Sequence, residues 1–391
     1  MTILECIRGV FRTDYLSFIP PYIQQSIKFS LIVTIFANLA HLAYCILLPS
    51  LYIKLSVAIN FVSIIISFIS SLYILISGQV PWYYAIFPVI LFFSSIFYYR
   101  RIKKIIPFAT ALIRESSRIL IHNISIVFIE ICSGALTLVL WLLFVVVSYL
   151  IINSDIEHST AFVFYLLASF SWITNTLSYI GYTTITGIVG NETFDDANII
   201  SPLKAFFYSI TYNLGSNALS AAIRTVLFIT DFVVDIKSEK NDKKESLLVK
   251  VLKFVIDILR KLHEYFARYA LIYVGVYSIP YIQACKKWGK KGFGERIRMS
   301  NYFEVVSSAL RHNYTLVIAA TCIAVYFAYY GKGSELYTRL GCVLTLMTIF
   351  QFLFSSITAI TDTLILCYFD HPSLLRNKHP EVAKAIRGVS L

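Results

Sequence analysis

Apolar residues run through this chain in long blocks, and short polar stretches separate them. Blocks stand at about 29–48, 55–76, 82–99, 124–152, 160–189, 205–234, 313–330 and 340–369. Each is close to the roughly 20 residues an α-helix needs to cross a bilayer. Two further stretches, 105–121 and the tyrosine-rich run that starts at Tyr265, bring the total to about ten hydrophobic segments. The expected fold is all-α, a polytopic membrane helical bundle. Pro49 closes the first block, with only Pro49–Lys54 left as a connection, and Gly78 and Pro81 close the second. The third carries aromatic residues at both ends (Trp82, Tyr83, Tyr84; Tyr98, Tyr99), as a spanning helix does at the two membrane interfaces.

The run Tyr265–Trp288 has its own period. Tyrosines stand at 265, 269, 273, 277 and 281, a four-residue step that keeps them on one slowly winding helix face. Pro280 is expected to kink this helix near its end. Phenol faces attract an organic cation without trapping it in strong hydrogen bonds. The same spacing equally suits tyrosines that pack between helices or form an interfacial belt.

Composition narrows the class. The chain has 391 residues, 58% hydrophobic and 14% charged, with a mean hydropathy of +0.72. About 25% charged residues would be usual in a soluble domain. Net charge is +12, but the basic residues lie between apolar blocks, so lipid head groups and membrane orientation explain them and nucleic acid does not. The seven cysteines are scattered, with no C-x-x-C, and imply neither a disulfide framework nor a metal. No cleavable leader is expected, because no A-x-A-like site follows the first apolar run. The basic run 285–311 and the tail after Asp370 should face the cytoplasm, and the acidic stretch 190–204 the other side. Asn191-Glu192-Thr193 there fits a glycosylation acceptor pattern.

Charges inside apolar blocks are costly and mark function by default. Glu130, Arg224 and Asp362 are the candidates, Arg224 being expected to pair with one of the two carboxylates or with helix-end carbonyls. Trp172, Asn175, Tyr179 and Tyr182 follow steps of three, four and three, and so share a face. Tyr212, Asn213, Ser216 and Asn217 cluster within two turns of the next block. Polar glue between helices would use the same residues. GKKGFG at 289–294 lacks the GK[ST] ending of a phosphate loop, no H-x-x-x-H or His/Cys cluster suggests a metal, and His122-Asn123 and His312-Asn313 suit helix capping.

Several stretches together resemble the choline transporter-like family, nearest its fungal branch. LHEYFARYALIYVGVYSIPYIQACKKW is similar to the family's helix with an Arg-aromatic-Ala-Tyr type entry and a Tyr-x-x-Ala-x-Lys exit. SFSWITNTLSYIGYTTITGIVG resembles its Trp-Ile helix, SPLKAFFYSITYNLGSNALSAAIR its Gly-Ser segment, and ITDTLILCYFDHPSLLRN its last helix. The likeness covers roughly residues 80–377. Thr186-Gly187 departs from the family's Thr-Val-Ala-Gly step, and the large extracellular loop of animal members is missing.

The resemblance implies a facilitative transporter of choline or a related small organic cation, not an enzyme, with no cofactor. It would be multi-pass in the plasma membrane, touching lipid and no nucleic acid. Residues 1–28 would be a cytoplasmic segment, 29–369 the transport domain and 370–391 a cytoplasmic tail. Trp172, Tyr179, Tyr182, Tyr273 and Tyr277 would contact the ammonium, Asn175, Asn213 and Asn217 the hydroxyl, and Glu130 or Asp362 the charge. A non-transporting membrane scaffold or lipid-handling protein is the alternative.

Overall fold

The computed structural model describes residues 43–45, 47–76, 105–152, 159–194, 201–239, 247–292, 294, 299–300, 302–304, 306–311 and 355–387. All the elements among them are helices: α1 (Pro49–Ile76), α2 (Ile105–His122), α3 (Ile124–Ile152), α4 (Ser159–Phe194), α5 (Pro202–Thr211) and α6 (Leu214–Glu239) come first. They are followed by α7 (Leu247–Tyr277), α8 (Tyr281–Gly289), α9 (355–370), α10 (Pro372–Lys378) and α11 (Pro380–Arg387). The predicted segments 82–99 and 313–330, most of 29–48 and the first half of 340–369 lie outside the described residues.

By length and composition, two described helices can cross a membrane, Ala161–Phe194 and Leu214–Val234. The bent pair α2 and Ile124–Thr137, which meet at 83°, makes up to three. That is the observed count among the described residues, against the ten segments expected. Several boundaries also move. Pro49 opens α1 rather than forming a loop, which fits proline's suitability for the first helical turn. The block 205–234 is two helices, parted at Tyr212–Asn213. The amphipathic stretch 247–262 and the ladder as far as Tyr277 are one 31-residue helix, and Tyr281 opens the next.

α4 is the hub, packed by α3, α5, α6 and α7. Its crossing with α7 is backbone-close, and three glycines make it so. A Cβ on Gly275 would lie 1.8 Å from Thr186 Oγ1 and 2.6 Å from the Thr183 carbonyl. One on Gly187 would lie 3.1 Å from the Gly275 carbonyl, and one on Gly190 2.8 Å from both Val276 methyls. Small residues let two backbones meet where lipid supplies no hydrophobic push.

Below this crossing α2, α7, α8 and α9 bury Phe108, Leu112, Tyr269, Trp288 and Leu364. Outward faces carry exposed apolar side chains, among them Phe128, Leu143, Phe162, Ile223, Val226 and Phe228, a lipid-facing surface. The first half of α7 exposes Val251, Phe254, Val255 and Ile258 beside charged residues. There Lys261 and Arg260 hold the Asp257 carboxyl below the usual carboxylate range.

The expected sidedness needs correction. Lys378 of α10 donates to the Glu192 carbonyl (3.2 Å), and His371 meets the Phe194 ring edge-on (5.1 Å). Asn123 donates to Glu192 (3.2 Å), and Lys291 pairs with Asp370 (2.7 Å). The C-terminal end of α4, the tail and the basic residues after α8 therefore share one end of the bundle. Orientation follows Lys and Arg, and acidic residues contribute little, so the acidic stretch was a poor guide. The glycosylation reading falls too, because Thr193 is buried within α4 and donates to the Val189 carbonyl (2.8 Å).

Candidate substrate site

Two helix breaks face each other across the end of α4. At the first, Tyr212 and Asn213 both return their N–H groups to the Tyr208 carbonyl (2.9 and 3.1 Å), which ends α5. α6 then begins on the Asn213 carbonyl, which accepts from the Asn217 N–H (3.0 Å). At the second, α7 stops at Tyr277 and α8 starts at Tyr281. Pro280 was expected to kink one helix; with Ser278 at a left-handed φ of 51°, it divides two. Ser216 of α6 accepts the Tyr281 N–H (3.1 Å), so one break braces the other.

Between the breaks lies a cavity of about 360 Å³. Thr183, Gly187, Gly190, Asn191 and Phe194 line it from α4; Ala205, Tyr208, Ser209 and Asn213 from the first break; Gly275, Val276 and Ser278 from the second. Its lining holds hydroxyls, amides, carbonyls and two aromatic rings, and no charged side chain. Such a wall can hold a small polar or weakly hydrated cationic molecule without a fixed countercharge.

Of the substrate contacts expected from the sequence, Asn213 alone lines this cavity. Asn217 supports it from behind, donating to Thr183 Oγ1 (3.0 Å). Asn175 instead donates to Ser171 Oγ (3.3 Å) and Thr225 Oγ1 (3.4 Å), tying α4 to α6. Trp172 is 45% exposed and donates its indole N–H to the Ala218 carbonyl (2.9 Å).

The ladder winds through the core. Tyr269 stacks on Trp288 at 3.9 Å and meets Phe303 edge-on. The phenols of Tyr273 and Tyr277 both donate to the Asp370 carboxylate (3.1 and 3.2 Å). Their ring faces carry the chain's own cation, with Lys287 Nζ 4.6 Å and 3.9 Å from the two centroids.

The expected pairing of Arg224 with a carboxylate is corrected. Arg268 takes Asp362 in a two-pronged pair, Nε to Oδ2 and Nη2 to Oδ1, both 2.6 Å. Tyr182 adds its phenol to the same carboxylate (3.1 Å), and Ser307 accepts from Arg268 (2.5 Å). Arg224 donates to the Tyr179 phenol oxygen (3.4 Å). Glu130 is buried against α4, where a Cβ on Gly181 would stand 3.3 Å from its Oε1. Sequence reading passed over Arg268, although an arginine inside the ladder was the available signal. It also passed over Asp370, hidden at the border of the polar tail.

These features define a helical membrane protein with a small-molecule cavity between discontinuous helices. Residues 85–373 match the family described as plasma-membrane choline transporter. The chain belongs to that family. It is also similar to Protein PNS1 of Mycosarcoma maydis, 28% identical over 129 residues, 32% of this chain. The match spans 24% of that relative's length.

Proposed function

We propose that the chain carries choline or a related small organic cation across the plasma membrane. It would do so without a coupled energy source, by exposing the cavity between the two breaks to each side in turn. Transporters commonly place their substrates where discontinuous helices meet, because unwound backbone offers polar groups inside the bilayer. The observation that carries the reading is the pairing of the two breaks around a lining of amides, hydroxyls and aromatics. About 360 Å³ falls within the roughly 300–1,000 Å³ typical of small-molecule sites. Asn213 is the group for the substrate's hydroxyl, with Thr183, set by Asn217, beside it.

In this reading residues 29–369 form the transport domain, and 1–28 and 370–391 are cytoplasmic. Because the tail lies against Phe194, the cavity sits toward the cytoplasmic end. The test is uptake of labelled choline by proteoliposomes containing the purified chain. Saturable uptake, cut severalfold by Asn213→Leu, supports the reading. A chain that folds and moves no choline overturns it and favours a scaffold or lipid-handling role.

A further inference from the structure

The helix that carries the tyrosine ladder ends in the cavity with carbonyl groups its own backbone does not satisfy. The last bond back into α7 runs from the Ser278 N–H to the Val274 carbonyl (2.9 Å). The next donors are lost one by one. Among the described residues no backbone bond runs from Ile279 to Gly275. Pro280, which would have served Val276, has no N–H. Tyr281, which would have served Tyr277, gives its N–H to Ser216 Oγ (3.1 Å). Gly275 and Val276 line the cavity. These carbonyls sit at the negative end of a 31-residue helix, where the partial charges of the peptide dipoles gather.

A second observation points at a ligand in the same place. Asn213 is 3% exposed and lines the cavity, and among the described residues its side-chain amide makes no hydrogen bond. Its amide borders the cavity, so its hydrogen-bonding capacity is open to whatever enters there. The cavity thus has a carbonyl end that favours positive charge and an amide that can both donate to and accept from a hydroxyl. No carboxylate lines it.

We infer that the substrate's cationic head is held by the open carbonyls at the C-terminal end of α7, around Gly275 and Val276, with its hydroxyl at Asn213. The inference rests on the transport reading above and gives it an orientation. Selectivity for positive charge then comes from backbone, and the rings of Tyr273 and Tyr277, already facing Lys287, hold the helix in place. The break has a use in this scheme. An unbroken α7 would spend the same carbonyls on its own N–H groups.

Binding to the purified full chain tests this with two probes of equal shape, choline and its uncharged isostere 3,3-dimethyl-1-butanol. Wild type should prefer choline by roughly tenfold or more, the scale of a partly buried charge at a helix terminus. Pro280→Ala supplies an N–H beside these carbonyls that can compete for them, and should cut choline affinity severalfold while leaving the isostere unchanged. The wild-type ratio stands as a test even if that variant folds poorly. Equal binding of the two probes by wild type overturns the inference while leaving the transport reading intact. So does a folded Pro280→Ala protein with an unchanged preference. If wild type binds neither probe, the transport reading itself falls, and the inference with it.

Discussion

Gly275→Ala is the sharpest test of the helix crossing that holds the cavity open. The added methyl would sit 2.6 Å from the Thr183 carbonyl and 1.8 Å from Thr186 Oγ1. Carbon and carbonyl oxygen normally stay roughly 3.3–3.6 Å apart, so α4 and α7 must separate by something near 1 Å. Thr186 can turn away, but it then gives up its bond to the Thr183 carbonyl (3.1 Å), a loss of about 1 kcal/mol. The Thr183 carbonyl is backbone and cannot turn. Overpacking of this kind costs roughly 1–3 kcal/mol, so about 3 kcal/mol in total is expected. The assay is thermal stability of the purified protein in detergent, read by the loss of its monodisperse chromatographic peak. Gly275→Ala should melt several degrees below wild type, and adding Thr186→Ala should recover part of the loss. Gly215→Ala is the control, since a Cβ there meets nothing within 4 Å; it should be neutral or slightly stabilising. If Gly275→Ala melts with wild type, the close crossing is wrong, and the cavity's walls with it.

Three further outcomes follow from the charged side chains. Asp362→Asn should destabilise the protein by about 3 kcal/mol in the same melt, because the partly buried Arg268 is left without its carboxylate; Arg268→Met with Asp362→Leu together should recover most of that. Arg224→Ala should change stability by no more than about 0.5 kcal/mol, since its contact is one long hydrogen bond on an exposed side chain; a large loss would restore a buried partner for it. Asp370→Asn weakens the anchor shared by Tyr273, Tyr277 and Lys291, at a cost of roughly 1–3 kcal/mol. Limited proteolysis should then cut α10 and α11 faster than in wild type, and an unchanged cleavage rate would show that the tail is held elsewhere.

Helices were easy to read from this chain because each apolar block is long. The block 124–152 became α3 at the same residues, and the family resemblance fell on residues that the family match covers. Partners were harder. Asp362 and Arg268 are 94 residues apart, and nothing local in either α7 or α9 says they meet. Arg224 looked equally placed for the role, since burial of a guanidinium depends on which face packs. Pro280 announced a disturbance, but whether it bends or divides a helix depends on whether another element satisfies the freed donors, here Ser216. The break at Tyr212–Asn213 has no proline, so the polar cluster around it gives no sign that the block 205–234 divides there. The tyrosine period runs along one helix only as far as Tyr277, and the rings there meet Trp288, Asp370 and Lys287. Periodicity shows which residues align, and only packing shows what they align against.

Substrate protection at the cavity wall tests the central claim most directly. A single cysteine at Ser209, in a chain whose seven native cysteines have been replaced, can be labelled with a small thiol reagent with and without choline. Ser209 lines the cavity and is buried beside Asn213, so bound choline should slow its modification severalfold at concentrations that saturate uptake. A control cysteine at Tyr165, exposed on the outer face of α4, should react at the same rate throughout. If choline saturates uptake while leaving the Ser209→Cys rate unchanged, the substrate binds elsewhere and the cavity between the two breaks is not the site.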